Sequence, residues 1–147
     1  MLVNIAIGCM LVVLTTVVHA AAMVAALQGF RIAHAKRWAR ASHVTRVTVV
    51  ASLVLVMFLA TLVEAGMWAA TYLALGAISG LERALYFSTV TYTTLGYGDV
   101  VMQEGWRLLS SFEAANGIIM FGWTTALIVA VVQRVYLIPP AADEHVT

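Results

Sequence analysis

Residues 93–99 read TTLGYGD, and the chain on either side of them decides the architecture. The stretch leading in, SGLERALYFSTVTYTT at 79–94, is apolar enough to enter a membrane but too short to cross one. The stretch leading out, LGYGDVVMQEG at 95–105, is broken by glycines. Non-helical backbone at membrane depth is tolerated only where protein or a water-filled cavity covers it. The pair of segments therefore predicts a re-entrant loop: a short helix going in and an extended strand coming out.

Composition supports a membrane setting. Of 147 residues, 63% belong to the set AVILMFWYC, only 10% are charged, and the mean hydropathy is +0.96. Soluble domains are about 45–50% apolar and about 25% charged. A chain this short has too little interior to hide the excess, so it must face lipid. A soluble enzyme and a nucleic-acid binder are thereby excluded. The one cysteine, Cys9, permits no internal disulfide and reads as a small apolar packer.

Three runs are long enough to span. The first, 1–30, carries no Lys, Arg, Asp or Glu; the second covers 47–78 and contains Glu64; the third covers 107–134 and contains Glu113 and Asn116. Cations give the orientation. Arg31, Lys36, Arg37, Arg40 and Arg46 all fall in the 31–46 loop, and Arg134 follows the third run. Lys and Arg favour the cytoplasmic side, which puts the N-terminus outside and the 139–147 tail inside. The basic loop could also hold anionic lipid. A cleaved signal peptide is the rival reading of the first run, suggested by the small residues after His19. It lacks the basic n-region such a peptide carries.

The TTLGYGD stretch resembles the selectivity filter of tetrameric potassium channels. A bare ion entering low dielectric faces an idealised cost of order 20 kcal/mol. Backbone carbonyls from four identical strands can replace its hydration shell. The resemblance implies that the carbonyls of Thr94, Leu95, Gly96 and Tyr97, with the Thr94 hydroxyl, bind potassium. Gly96 and Gly98 would supply the backbone freedom that inward-facing carbonyls need. It implies a homotetramer in the cell membrane, potassium ions as its only bound group, and no enzymatic activity. The pore helix is expected over 80–93, capped by Ser79 with Glu82 in a capping box. Its C-terminal end would point a partial negative charge at the pore centre.

The third run adds to the likeness. Trp106-Arg107 precedes Gly117 and Gly122 at the spacing of the family's inner helix, with Thr93, Ile118, Phe121 and Thr125 expected at the cavity below the filter. The resemblance covers about 47–134; small bacterial ion-channel proteins with one extra N-terminal helix look similar. The fold class expected is thus an all-α membrane protein of three spanning helices, a pore helix and an extended filter. A weakly selective cation pore and a non-conducting membrane subunit are the alternatives. No span carries a regular arginine series, so no voltage sensor is expected.

The sequence departs from the family pattern around the filter. Leu95 replaces the usual valine, and only its carbonyl would face the ion. Tyr86 and Phe87 stand where many members have two tryptophans. Tyr86 can still donate to Asp99, whereas Phe87 cannot donate to Tyr97, so the support around the filter is weakened unless Thr91 replaces it. Glu113 lies six residues into the third helix, roughly 9 Å deep at 1.5 Å per residue, and Glu64 lies at comparable depth. An ionised carboxylate there is costly, so each should be hydrogen-bonded or neutral. Both are candidate filter supports, bonding the pore-helix hydroxyls of Thr89, Thr91 or Tyr92. The competing readings are that Glu64 snorkels outward beside Trp68 and that Glu113 joins subunits. His19 is either a pH-sensing group or a satisfied interhelical bond, and the alanines at 20–22, 25 and 26 read as a close-packing face.

Overall fold

The computed structural model describes residues 1–34 and 42–136. Four helices follow in order: α1 (Leu2–His34), α2 (His43–Ala74), α3 (Leu81–Tyr92) and α4 (Arg107–Tyr136), with one 3-10 turn at Glu104–Trp106. Among the described residues there is no strand. Helices α1, α2 and α4 are each long and apolar enough to cross a membrane. The protein is an all-α membrane protein with three spanning helices.

The helices outrun the apolar stretches that announce them. α1 continues through Arg31 to His34, and α2 starts at His43, where Ser42 accepts the Thr45 amide at 3.2 Å as an N-cap. The 31–46 segment is therefore largely helical at its two ends, and its centre lies outside the described residues. The 139–147 tail lies outside them too.

α2 ends early, at Ala74, because Gly76 takes φ 65° and turns the chain. The Gly76 amide then bonds the Leu73 carbonyl and the Ala77 amide the Tyr72 carbonyl. The start of α3 corrects one expectation. Its N-cap is Gly80 at φ 90°, with no side-chain cap bond, so Ser79 and Glu82 form no capping box. The left-handed turn needs the glycine, and it shifts Glu82 to the second helical position. There Glu82 can still favour the helix dipole.

Helix α1 runs parallel to α4. Asn4 donates to the Gly105 carbonyl at 2.6 Å, Gly8 lies against Phe112, Asn116 donates to Thr15 at 2.7 Å, and His19 meets Thr124 at 3.1 Å. The buried stripe is Asn4, Gly8, Leu11, Thr15 and His19, recurring every three or four residues. This narrows the alanine face: Ala21 and Ala25 are exposed, as is Cys9, whereas Ala20 and Ala22 are half-buried and Ala26 packs against α2 and α4. In a helix already soluble in lipid, the polar and small residues are the ones with reason to turn inward.

Two apolar clusters result. The larger joins Leu11, Trp68, Tyr72, Phe87, Tyr92, Leu109 and Met120 around α3. The smaller joins Leu53 and Met57 of α2 to Val131 and Val135 of α4, with Met23 and Leu27 of α1 against it.

Candidate functional site

Helix α3 is held where its last turn meets α2 and α4. A Cβ at Gly117 would collide with the Tyr92 carbonyl oxygen, so only glycine lets α4 approach the end of α3 this closely. Gly117, expected as a hinge, makes this packing contact, and α4 runs unbroken through it and through Gly122.

The chain leaves α3 through Thr93, whose hydroxyl donates back to the Thr89 carbonyl at 2.7 Å. The Thr94 amide bonds the Thr91 carbonyl at 2.9 Å, and the Leu95 and Gly96 amides both bond the Val90 carbonyl, at 3.0 and 3.2 Å. These bonds weld the start of the 94–98 segment to the last turn of the helix. Every second residue of that segment is left-handed: Thr94 at φ 59°, Gly96 at 56° and Gly98 at 81°. For β-branched Thr94 this is a costly conformation of the kind that persists where surrounding structure imposes it. The Leu95 and Tyr97 side chains are 55% and 66% exposed in the single chain.

Beyond Gly98, the Tyr86 hydroxyl donates to Asp99 Oδ2 at 2.6 Å, and the Val100 amide donates to Oδ1 at 3.0 Å. The Tyr86 bond is the main cause holding the Asp99 carboxyl below the ordinary carboxylate range. Thr91 lines a cavity of about 220 Å³ behind the segment, together with Tyr86, Phe87, Gly96, Gly98 and Asp99. Phe87 is buried and meets the Tyr72 ring edge-on, with centroids 5.5 Å apart.

Both buried carboxylates find hydroxyls; Glu64 meets one of the expected pore-helix partners, whereas Glu113 meets a residue of α2 instead. Glu64 Oε2 accepts from Tyr92 of α3 at 2.7 Å, whereas Glu113 Oε2 accepts from Tyr72 of α2 at 2.7 Å. Thr89 and Thr91 bond neither. Glu64 and Trp68 are both fully buried, which removes the snorkelling alternative. His19 makes the interhelical bond expected of it, and its partner is the residue the sequence left unnamed: Nδ1 lies 2.9 Å from Glu64 Oε1. A lone histidine in an uncharged span was the available signal.

On α4, Ile118, Phe121, Gly122 and Thr125 share one exposed face, and Thr125 bonds its own helix at the Phe121 carbonyl. The arrangement so far is a short helix ending on a non-helical 94–98 segment of alternating backbone hand, backed by spanning helices. A family model described as ion channel, of the two-transmembrane type that includes potassium-channel pore modules, matches residues 44–134. The chain belongs to this ion-channel family. The match takes in α2, α3, the 94–98 segment and nearly all of α4, and it leaves α1 outside. The channel protein has no significant match among individual curated proteins or solved structures.

Proposed function

We propose that four copies of this channel protein assemble around the 94–98 segment and pass potassium ions passively through it. The observation that carries the reading is the left-handed backbone at Thr94, Gly96 and Gly98. Alternating hand along a strand turns successive carbonyls to one side, which suits the carbonyls of Thr94, Leu95, Gly96 and Tyr97 to replace water around an ion. The exposed faces fit the same assembly. Leu81, Leu85 and Tyr86 on α3, and Ile118, Phe121, Gly122 and Thr125 on α4, are uncovered in one chain and apolar enough to need neighbours or a cavity. The C-terminal end of α3 brings its partial negative charge to the base of the segment, which favours a cation there.

In this reading the protein sits in the cell membrane with its N-terminus outside and its C-terminus cytoplasmic, as the cation clustering suggests. Anionic lipid at the 31–46 loop belongs to the same reading. Ser42→Cys in a Cys9-free background is expected to react with an impermeant thiol reagent from the cytoplasmic side alone. Labelling from outside would reverse the orientation.

Reversal potentials of the reconstituted protein in mixed potassium and sodium test the function. Potassium preference is expected, and Gly96→Ala should abolish current while leaving the assembly intact, because Cβ resists φ 56°. Unchanged conduction in that variant would refute the placement of the pore. A weakly selective cation pore is the second reading. It is favoured by Phe87, which packs on Tyr72 and gives Tyr97 no hydrogen bond, and by the cavity beside the segment. Equal potassium and sodium permeability would select it.

A further inference from the structure

Helix α1 lies outside the segment shared with the channel family, yet it supplies a fully buried polar contact to it. His19 and Glu64 are both fully buried. Their bond, Nδ1 to Oε1 at 2.9 Å, is one link in a continuous chain across all four helices. Thr124 of α4 meets His19 Nε2 at 3.1 Å, and Tyr92 of α3 donates to the other oxygen of Glu64 at 2.7 Å. Trp123 of α4 flanks the imidazole, with ring centroids 5.2 Å apart. Tyr92 is the last residue of α3, two positions before Thr94, and its carbonyl is the one pressed against Gly117.

We propose that His19 is a positioning residue for the pore: it holds the Glu64 carboxylate against the Tyr92 hydroxyl, and so lets α1 support the base of the 94–98 segment from within the same chain. This rests on the pore reading above for its functional consequence, though the linkage itself does not depend on conduction.

The chemistry makes the support proton-dependent. With one proton shared by the pair, imidazolium faces carboxylate, Nε2–H donates to Thr124 Oγ1, and the Thr124 hydroxyl is free to turn to a carbonyl of α4. With that proton gone, the Nδ1–H bond to Glu64 survives as a weaker neutral-donor bond, and Thr124 donates to Nε2 instead. The heavy atoms stay in place in both states. What changes is that a charge-assisted bond, roughly twice as strong as a neutral one, is lost and a net negative charge is left buried. The titratable groups facing the pair are Tyr92 from α3 and, acting on Tyr92, Glu113 from α4, itself bonded by Tyr72 of α2. No Lys or Arg side chain pairs with Glu64 among the described residues. Support is therefore strongest at low pH and weakens as pH rises.

The test uses the full chain in liposomes at symmetrical pH, together with potassium-dependent thermal melting of the assembly in detergent. Parent current is expected to fall about tenfold as pH is raised from acid to alkaline and the bond loses its charge assistance. His19→Gln, which keeps a side-chain hydrogen bond without titrating, should reduce that change to less than about twofold, as should Glu64→Gln. In melting, His19→Gln and Tyr92→Phe should be coupled, the double variant losing clearly less than the two single losses added together. His19→Gln, Glu64→Gln and Tyr92→Phe variants with the parent's pH profile, or melting losses that simply add, would overturn the proposal. Should the parent carry no potassium current, the pore reading falls by itself, and additivity or coupling in melting still decides whether His19 acts on Tyr92.

Discussion

The half of the molecule that holds the 94–98 segment and the opposite half are built on different principles. In the first, four helices meet, and side chains bond across them at Asn4–Gly105, Thr15–Asn116, His19–Glu64, His19–Thr124, Glu64–Tyr92 and Tyr72–Glu113. In the second, three helices meet through Leu53, Met57, Val131 and Val135, and no hydrogen bond joins two helices among the described residues. Its one polar contact between helices is the Arg46 guanidinium 5.9 Å from the centre of the Tyr136 ring. Lipid tails give apolar side chains no solvent-driven reason to associate, so close packing and directed bonds set rigidity. The half around the 94–98 segment is therefore fixed in register by directed bonds, while the opposite half is held by apolar packing.

The sharpest way to break the comparison is to place one methyl group at each of two α4 glycines, one against the end of α3 and one facing open space. Gly117→Ala drives Cβ into the Tyr92 backbone and is expected to cost about 3 kcal/mol, at the upper end of overpacking penalties. Loss of the folded assembly on size exclusion would register it. Gly122→Ala meets open space and should melt at the parent temperature or slightly above, since alanine stabilises a helix interior by about 0.5–1 kcal/mol over glycine. Equal damage from both would erase the distinction. Next in size is Tyr72→Phe, which leaves the Glu113 carboxylate buried without its donor, at a cost of about 1–3 kcal/mol in thermal melting. In the opposite half, Arg46→Gln should cost no more than about 0.5–1 kcal/mol, the scale of an exposed cation–π contact.

The smallest effect is expected at Asp99, at the exposed mouth of the segment. Its carboxyl is held below the ordinary value near 3.8, chiefly by Tyr86, so the native state is favoured above that value. That advantage disappears as pH falls through the lowered one. Tyr86→Phe should move the Asp99 titration, followed by carboxyl carbon NMR, back up toward the ordinary value. An unmoved titration would show that the Tyr86 bond is absent in solution.

The spans and the re-entrant segment could be read from the sequence because each is a run long enough for composition alone to speak. Tyr92 is among the hydroxyls expected for Glu64, but the choice of it over the threonines, and of Tyr72 for Glu113, could not be read there. Tyr72, Tyr92 and the pore-helix threonines lie at similar depth, and hydropathy does not choose among hydroxyls in one layer. Which way α1 turns was in principle legible: Asn4, Thr15 and His19 are the polar residues of an otherwise lipid-soluble helix, and they share a face. Reading the alanines as that face gave small size more weight than polarity. Ser79 failed as a cap for a local reason, since Gly80 already provides the turn that starts α3.

The length of α1 has a mechanical consequence. Its apolar stretch, Leu2–Gly29, is 28 residues, about 42 Å of helix at 1.5 Å per residue, against a hydrocarbon core of about 30 Å. Such a helix accommodates the mismatch by tilting, or the bilayer thickens around it. Among the described residues, its hydrogen bonds to other helices fall within the first nineteen residues, and beyond His19 it meets its neighbours through the apolar side chains of Met23, Ala26 and Leu27. A bilayer thickness that alters the tilt of α1 would therefore bear on these bonds, including the pair that holds Tyr92. Reconstitution in lipids of graded acyl length reads this directly: current should vary with thickness in the parent and lose that dependence in His19→Gln.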